Sequence, residues 1–281
     1  MLVTTKEMLL AAQAGGYAVA AFNAENMEMT VAVLAAAQEL RAPIILQATP
    51  LMMRFASATL YVAMAKAALE NITVPVALHL DHGDSYEVAV RSLRAGYTSL
   101  MLDGSRLPYE ENAALTRRVV ELATPCGIPV EAELGAVGGT EDGLTSAGDT
   151  GTDPEQAADF LARTGADFLA VGIGTAHGVY RAHPKLDLER LEAIRERVDA
   201  PLVLHGASGL TQDDLQACIA RGICKINIAT ELRLAYSGGI KALLAEQPGT
   251  FDPKELGKAA IARVKEAALE SIRSCGCAGK A

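Results

Sequence analysis

The stretch Val76-Ala77-Leu78-His79-Leu80-Asp81-His82-Gly83-Asp84-Ser85 delivers a carboxylate and an imidazole side by side. An apolar run leads into the pair, and a glycine and a helix-start serine follow it. Neighbouring residues of a strand face opposite ways, so Asp81 and His82 can share one target only where the strand ends and the backbone turns. Such a turn would set a metal ligand beside a proton-transfer group at the rim of a parallel sheet. The plainer alternative is a strand that merely ends in polar residues.

His177 and His205 widen the set, each placed beyond a separate apolar run. Three neutral imidazoles from different strands are a common zinc set that leaves room for substrate. The ion then acts as a Lewis acid on a carbonyl or lowers the pKa of water. Singly, either histidine reads as a satisfied core or loop residue; together with Asp81 and Glu133 they read as a metal site. His79 belongs to a strand interior, as a partner of the ligands or simply packed. His183, in Arg181-Ala182-His183-Pro184, reads as exposed.

Three loops carry further chemistry. His205-Gly206-Ala207-Ser208-Gly209 and Asn227-Ile228-Ala229-Thr230 offer glycines that let backbone approach an anion, and helix-start N–H groups that hold one. The glycine-rich run from Glu133 to Gly143, with Glu141 and Asp142, can swing a carboxylate over a substrate. It also reads as a flexible acidic surface loop.

The elements that must position these groups alternate regularly. Short, nearly continuous apolar runs at 19–22, 44–47, 76–80, 99–102, 129–133, 168–171, 202–204 and 224–228 read as strands buried on both faces. Helical patterns separate them at 27–40, 59–70, 86–95, 109–126, 154–163, 188–198, 212–221 and 231–246. Eight of each is the count of a TIM (β/α)8 barrel, whose active sites gather at the C-terminal strand ends. Asn23, Thr49, Asp81 with His82, Asp103, Glu131 with Glu133, His177, His205 and Asn227 fall at those ends. A doubly wound open sheet would show a glycine fingerprint after its first strand, and Phe22-Asn23-Ala24-Glu25-Asn26 is not one. No linker interrupts the pattern, so residues 1–281 read as one domain. Residues 250–281 add a C-terminal helix and tail that pack on the barrel or on a neighbouring subunit.

Bulk properties narrow the class. The formal charge of −9 lacks the basic stripe that nucleic acid needs. No basic start leads into an apolar leader and no run is long enough to span a bilayer, so a cytoplasmic, soluble protein is expected. Of the five cysteines, Cys126, Cys218 and Cys224 read as buried reduced thiols. Cys275-Gly-Cys277 lacks zinc-pair spacing and reads as a solvated tail.

Several ordered motifs now amount to a resemblance: Ala21-Phe22-Asn23, His79-Leu80-Asp81-His82, Val130-Glu131-Ala132-Glu133-Leu134-Gly135, Gly174-Thr175-Ala176-His177-Gly178, Leu204-His205-Gly206-Ala207-Ser208-Gly209 and Lys225-Ile226-Asn227-Ile228-Ala229-Thr230-Glu231. The chain resembles the class II, zinc-dependent ketose-bisphosphate aldolases nearly end to end, most closely their tagatose-bisphosphate branch. The resemblance implies zinc on His82, His177 and His205, with Glu133 close to the metal and ligating it in some states. It implies that Asp81 handles the hydroxyl proton at the bond being cleaved and that Glu141 exchanges a proton with the dihydroxyacetone phosphate carbon. Gly178, Gly206, Ser208, Asn227 and Thr230 match phosphate-binding positions, Asn23 and Thr49 are read as facing substrate, and Asp103 and Glu131 as supporting the ligands. Backbone around His177 and Gly206, with Ser208, matches a monovalent-cation site (Na+ or K+). The implied reaction cleaves tagatose- or fructose-1,6-bisphosphate to dihydroxyacetone phosphate and an aldehyde such as glyceraldehyde 3-phosphate through a zinc-stabilised enediolate. A homodimer or homotetramer is implied as well.

Rivals are a ketose 1-phosphate aldolase with another anionic distal group, a zinc hydrolase and a non-catalytic partner subunit. The hydrolase would gather His-x-His on its first strand, where Asn23 and Glu25 stand; the partner subunit should have lost the acid or a ligand, and none is lost. Two departures bear on the sugar: Thr49-Pro50-Leu51-Met52-Met53-Arg54 lacks the glycine common in tagatose-type members, and Arg181 stands where they often carry a small residue. A guanidinium there suits an anionic end of the substrate. Arg181→Ala is expected to raise KM with little change in kcat, and steady-state kinetics that leave KM unchanged would remove Arg181 from the site.

Overall fold

The structure, a computed structural model, describes residues 1–141, 144–146, 151–178 and 184–281, with backbone alone over 140, 141 and 144–146. Its strands in chain order are β1 (Val19–Asn23), β2 (Ile44–Ala48), β3 (Val76–Gly83), β4 (Ser99–Leu102), β5 (Val130–Leu134), β6 (Gly138–Glu141), β7 (Leu144–Ser146), β8 (Phe168–Val171), β9 (Ala176–His177), β10 (Leu202–Leu204) and β11 (Ile223–Ile228). Eight of them close in the order β1-β11-β10-β8-β5-β4-β3-β2, every pairing parallel. This is the expected TIM barrel. The other three form a small sheet, β7-β6-β9, above it.

The helices are α1 (Thr5–Gly15), α2 (Met27–Leu40), α3 (Pro50–Ala56), α4 (Ala58–Ala68), α5 (Tyr86–Ala95), α6 (Tyr109–Ala123), α7 (Pro154–Thr164), α8 (Leu188–Arg195), α9 (Gln212–Ile219), α10 (Thr230–Glu246) and α11 (Pro253–Ser274). Many begin at a side chain that accepts an otherwise unpaired N–H. Asn26, Thr49, Ser85, Asp153 and Thr211 take this role for α2, α3, α5, α7 and α9, each cap being worth about 1 kcal/mol. Two helices go beyond the sequence pattern. Just before α1, Leu2 bridges Val76, and Thr5 at the start of the helix reaches Ser99, so this segment covers the N-terminal end of the barrel. In α3, Pro50 starts a short helix directly after the Thr49 cap.

Ala, Val, Leu and Ile fill the space between strands and helices, where Phe22, Ile44, Leu46, Leu78, Leu169 and Leu202 are wholly buried. Each such Val, Leu or Ile contributes roughly 1.5–3 kcal/mol on burial. That shell leaves the barrel interior free to hold polar side chains. The expected C-terminal helix is α11, which packs along α2 and α10 and pairs Lys265 with Glu39 at 2.6 Å.

The cysteine expectations need correction at two places. Cys275 and Cys277 are buried, not solvated, because the tail is stitched down: Ala18 N donates to Cys275 O at 2.9 Å, Gly279 N to Leu40 O at 2.8 Å and Ala281 N to Arg41 O at 3.0 Å. Cys126, expected inside, is exposed in the turn that follows α6. Burial pushes the Cys218 thiol up to about 12 and those of Cys224 and Cys277 up to about 11. In a native-state titration with a chromogenic disulfide, Cys126 should react rapidly and the other thiols only after denaturation. Rapid labelling of Cys275 or Cys277 in the folded protein would contradict this packing.

Candidate active site

The end of β3 solves the geometric problem posed by Asp81 and His82. Leu80 pairs with Leu100 and Gly83 with Leu102, so β3 carries one extra residue there, a β-bulge. His82 takes up the turn with φ +47°, a left-handed conformation uncommon for a non-glycine residue. Asp81 therefore points into the barrel while His82 swings over the same rim. Glycine is required next, because a Cβ on Gly83 would lie 2.3 Å from Met101 O. Ser85 then caps α5, its hydroxyl accepting from Val88 N at 3.3 Å.

His82, His177 and His205 converge. One ring nitrogen from each lies within 4.8 Å of the others. His82 Nδ1 meets Asp103 Oδ2 at 2.8 Å, and His205 Nε2 meets Glu131 Oε1 at 3.0 Å. An ionised carboxylate only accepts, so those two ring nitrogens carry the protons. Lone pairs then remain on His82 Nε2 and His205 Nδ1, which face each other at 3.0 Å. Two lone pairs at that distance repel unless a cation sits between them. The donor set thus fits a divalent ion such as zinc, and each carboxylate behind a ring fixes its tautomer.

The carboxylates divide into two kinds. Burial opposes the charge on Asp103, yet hydrogen bonds from His82 and from the Ser105 N–H and hydroxyl hold it well below the usual range. Burial likewise opposes charge on Glu131, and Lys225, with His205 and His79, overcomes it. Burial and the neighbouring Asp103 push Glu133 the other way, well above its ordinary value, against the pull of His82. Among the described residues Glu133 Oε2 accepts no hydrogen bond, and it lies 3.4 Å from His205 Nδ1 and 3.9 Å from His82 Nδ1. A metal ion in the imidazole cluster would reverse that shift and take the free oxygen.

Asp81 sits wholly buried with His82 Nε2 4.0 Å from its Oδ1. Asn23 Nδ2 donates to its Oδ2 at 2.8 Å and Asn227 Nδ2 to its Oδ1 at 3.0 Å, while Gln47 Nε2 holds Asn23 Oδ1 at 2.8 Å. Both asparagines, expected at the substrate, are first of all clamps on Asp81. Ser208, expected on phosphate, donates its hydroxyl to Glu231 Oε2 at 2.6 Å, and Gly209 N donates to Glu231 Oε1 at 3.1 Å. That loop end is thus shaped for an anionic group, and a carboxylate of the chain itself occupies it. Thr49 is buried as the α3 cap, Gly178 and Gly206 follow the two metal-side histidines with φ +93° and +65°, and Thr230 opens α10.

The small sheet ties the glycine-rich segment to this rim. Gly138 pairs with Ala176 and Gly139 with His177. A Cβ on Gly139 would lie 2.3 Å from His177 O, so only glycine permits the approach. Glu141 ends β6 on described backbone, its side chain lying outside the described residues, as do Asp142, Arg181 and His183 entirely.

Comparison with known proteins decides the family. The model of the class-II fructose-bisphosphate aldolases matches residues 3–280. This chain belongs to that family. The family member is 46% identical, over 99% of each chain, to the D-tagatose-1,6-bisphosphate aldolase subunit GatY of Klebsiella oxytoca. Its structure is similar to the YdjI aldolase of Escherichia coli K12, with 40% identity, a TM-score of 0.90 and full coverage of both chains. It also shares its fold with the fructose-bisphosphate aldolase of Campylobacter jejuni, at 21% identity and a TM-score of 0.83 over 100% of this chain and 97% of the other.

Three members of this aldolase's site escaped the sequence reading: Gln47, Ser105 and Lys225. Gln47 and Lys225 each carry a signal, a polar residue inside an otherwise apolar strand, but periodicity does not say what they touch. Asp103→Ala should weaken zinc binding roughly 10–100-fold by freeing the His82 ring, measured by competition against a chromogenic chelator. An unchanged affinity would show that His82 does not depend on this carboxylate.

Proposed function

We propose that this aldolase is zinc-dependent and cleaves a ketose 1,6-bisphosphate, of tagatose or fructose, to dihydroxyacetone phosphate and an aldehyde such as glyceraldehyde 3-phosphate. The observation that carries the reading is the convergence of His82, His177 and His205 within 4.8 Å, with Asp81 beside them. The name of the 46%-identical Klebsiella relative favours tagatose bisphosphate. Zinc, when bound, supplies Lewis acidity toward the ketone oxygen.

The chain's own groups do the rest. Asp81, clamped by Asn23 and Asn227, accepts the proton of the hydroxyl on the carbon beyond the scissile bond. The bond then breaks, its electrons passing toward the ketone, and the aldehyde leaves. Glu141, carried on the segment paired to Gly139 and His177, returns a proton to the carbon of the three-carbon fragment. Glu133 would lie close to the metal and ligate it in some states. Gly178, Gly206, Ser208, Asn227 and Thr230 would bind the phosphate, and backbone around His177 and Gly206, with Ser208, would hold a monovalent cation (Na+ or K+). The alternative substrate is a ketose 1-phosphate with another anionic end.

Among the described residues no helix is long and apolar enough to cross a membrane. We read the enzyme as cytoplasmic and as a homodimer or homotetramer; exposed Phe55 and Leu60 on α3 and α4 support self-association. The test is release of dihydroxyacetone phosphate from the two epimeric bisphosphates in a coupled assay. Activity should vanish with a chelator, return with zinc, and fall at least about 100-fold in Asp81→Ala. Full activity after metal removal would overturn the proposal.

A further inference from the structure

We propose that Lys225 is a positioning residue for the metal ligand His205, acting through Glu131. The inference deepens the metal-site reading above and rests on it. Lys225 on β11 and Glu131 on β5 face each other inside the barrel, one layer below Asn227 and Glu133. Both side chains are wholly buried. Lys225 Nζ donates to both oxygens of Glu131, at 3.1 Å to Oε1 and 2.8 Å to Oε2. Oε1 also receives His205 Nε2 at 3.0 Å.

A second arm reaches the same carboxylate from the closed end of the barrel. Thr5 Oγ1 donates to Ser99 Oγ at 2.8 Å, which leaves the Ser99 hydrogen for His79 Nδ1 at 2.8 Å. His79 Nε2 lies 3.5 Å from both Glu131 Oε2 and Lys225 Nζ, closing the cluster beneath the carboxylate. Lys225 and His205 both donate to Glu131. The ammonium, straddling both oxygens, fixes the carboxylate plane so that one acceptor edge meets the His205 ring. That contact keeps the His205 proton on Nε2 and leaves Nδ1 open toward the metal.

The arrangement predicts an effect of exchanging charge for shape. In Glu131→Gln the side chain keeps its volume but has one acceptor oxygen for two donors. The Lys225 ammonium wins that oxygen, and the amide N–H2 group turns to His205 Nε2. The ring then moves its proton to Nδ1 and blocks its metal-facing nitrogen. Removing the ammonium as well, in Lys225→Met/Glu131→Gln, frees the amide oxygen to turn back to His205.

Zn2+ and Co2+ binding should be measured by chelator competition on folded protein, together with the cobalt d–d spectrum. Glu131→Gln should bind roughly 10–100-fold more weakly with an altered spectrum, and the double variant should regain most of that loss. Wild-type affinity in Glu131→Gln would overturn the inference, and so would a double variant that recovers nothing. A wild-type protein that takes up neither ion would instead defeat the metal reading, and this one with it. Should either variant fail to fold, nitrogen NMR of the metal-free wild type decides, because a proton on His205 Nδ1 contradicts the proposal.

Discussion

Two imidazole lone pairs, on His82 Nε2 and His205 Nδ1, face each other 3.0 Å apart. They do so because Asp103 and Glu131 have each claimed the opposite nitrogen of a ring. Left to themselves the rings would turn or flip tautomer, so the strands behind them must hold the carboxylates still. The barrel meets this demand by drawing each member from a different strand end, where the backbone is fixed by neighbours on both sides. His82 needs more, namely a bulge and a left-handed turn, to reach the rim beside Asp81. The local strain is modest and confined to the residue whose direction matters.

The same barrel interior that serves the site is costly to fold. Asp81, Glu131, Glu133, Lys225, His79 and His205 are all buried. An unpaired charge there would cost several kcal/mol, which apolar packing outside the strands would have to offset. Pairing removes most of that penalty: Lys225 spans Glu131, and two amides hold Asp81. Such a network tolerates little change, since each group is the partner of at least one other. Glu133 is the least satisfied member: Ser105 and the Val137 N–H bond its carboxylate, while Oε2 has no hydrogen-bond partner among the described residues.

Much of this was legible in the chain. Eight apolar runs with a polar residue at each end specify a barrel and its active face, because parallel strands buried on both sides admit few other patterns. The pair Asp81-His82 even requires the backbone turn that the bulge supplies. What escaped is whatever depends on partners distant in sequence. Nothing local in Cys275-Gly-Cys277 announces that Ala18 and Leu40 will bind the tail, and nothing at Cys126 says that the turn after α6 leaves it outside. Asn23 and Asn227 were readable as polar strand-end residues, but an amide at such a place serves a substrate or a carboxylate equally well. Only the register, which sets Ala21 beside Asn227 and Asn23 beside Gln47, aims them at Asp81.

That register also explains why the proton-handling groups stay coordinated although they come from separate segments. Each oxygen of Asp81 is held by an asparagine from one of the two strands that pair at the barrel closure, β1 and β11, which fixes the direction of both. Glu141 is attached differently. Its segment leaves β5 and runs alongside Ala176-His177, and Gly139 lies against the backbone of His177 itself. The main chain of His177 is thereby the rail along which the Glu141 backbone runs. Asp81 is thus held by side chains of two barrel strands, whereas the Glu141 backbone is carried on the segment that runs beside His177 outside the barrel.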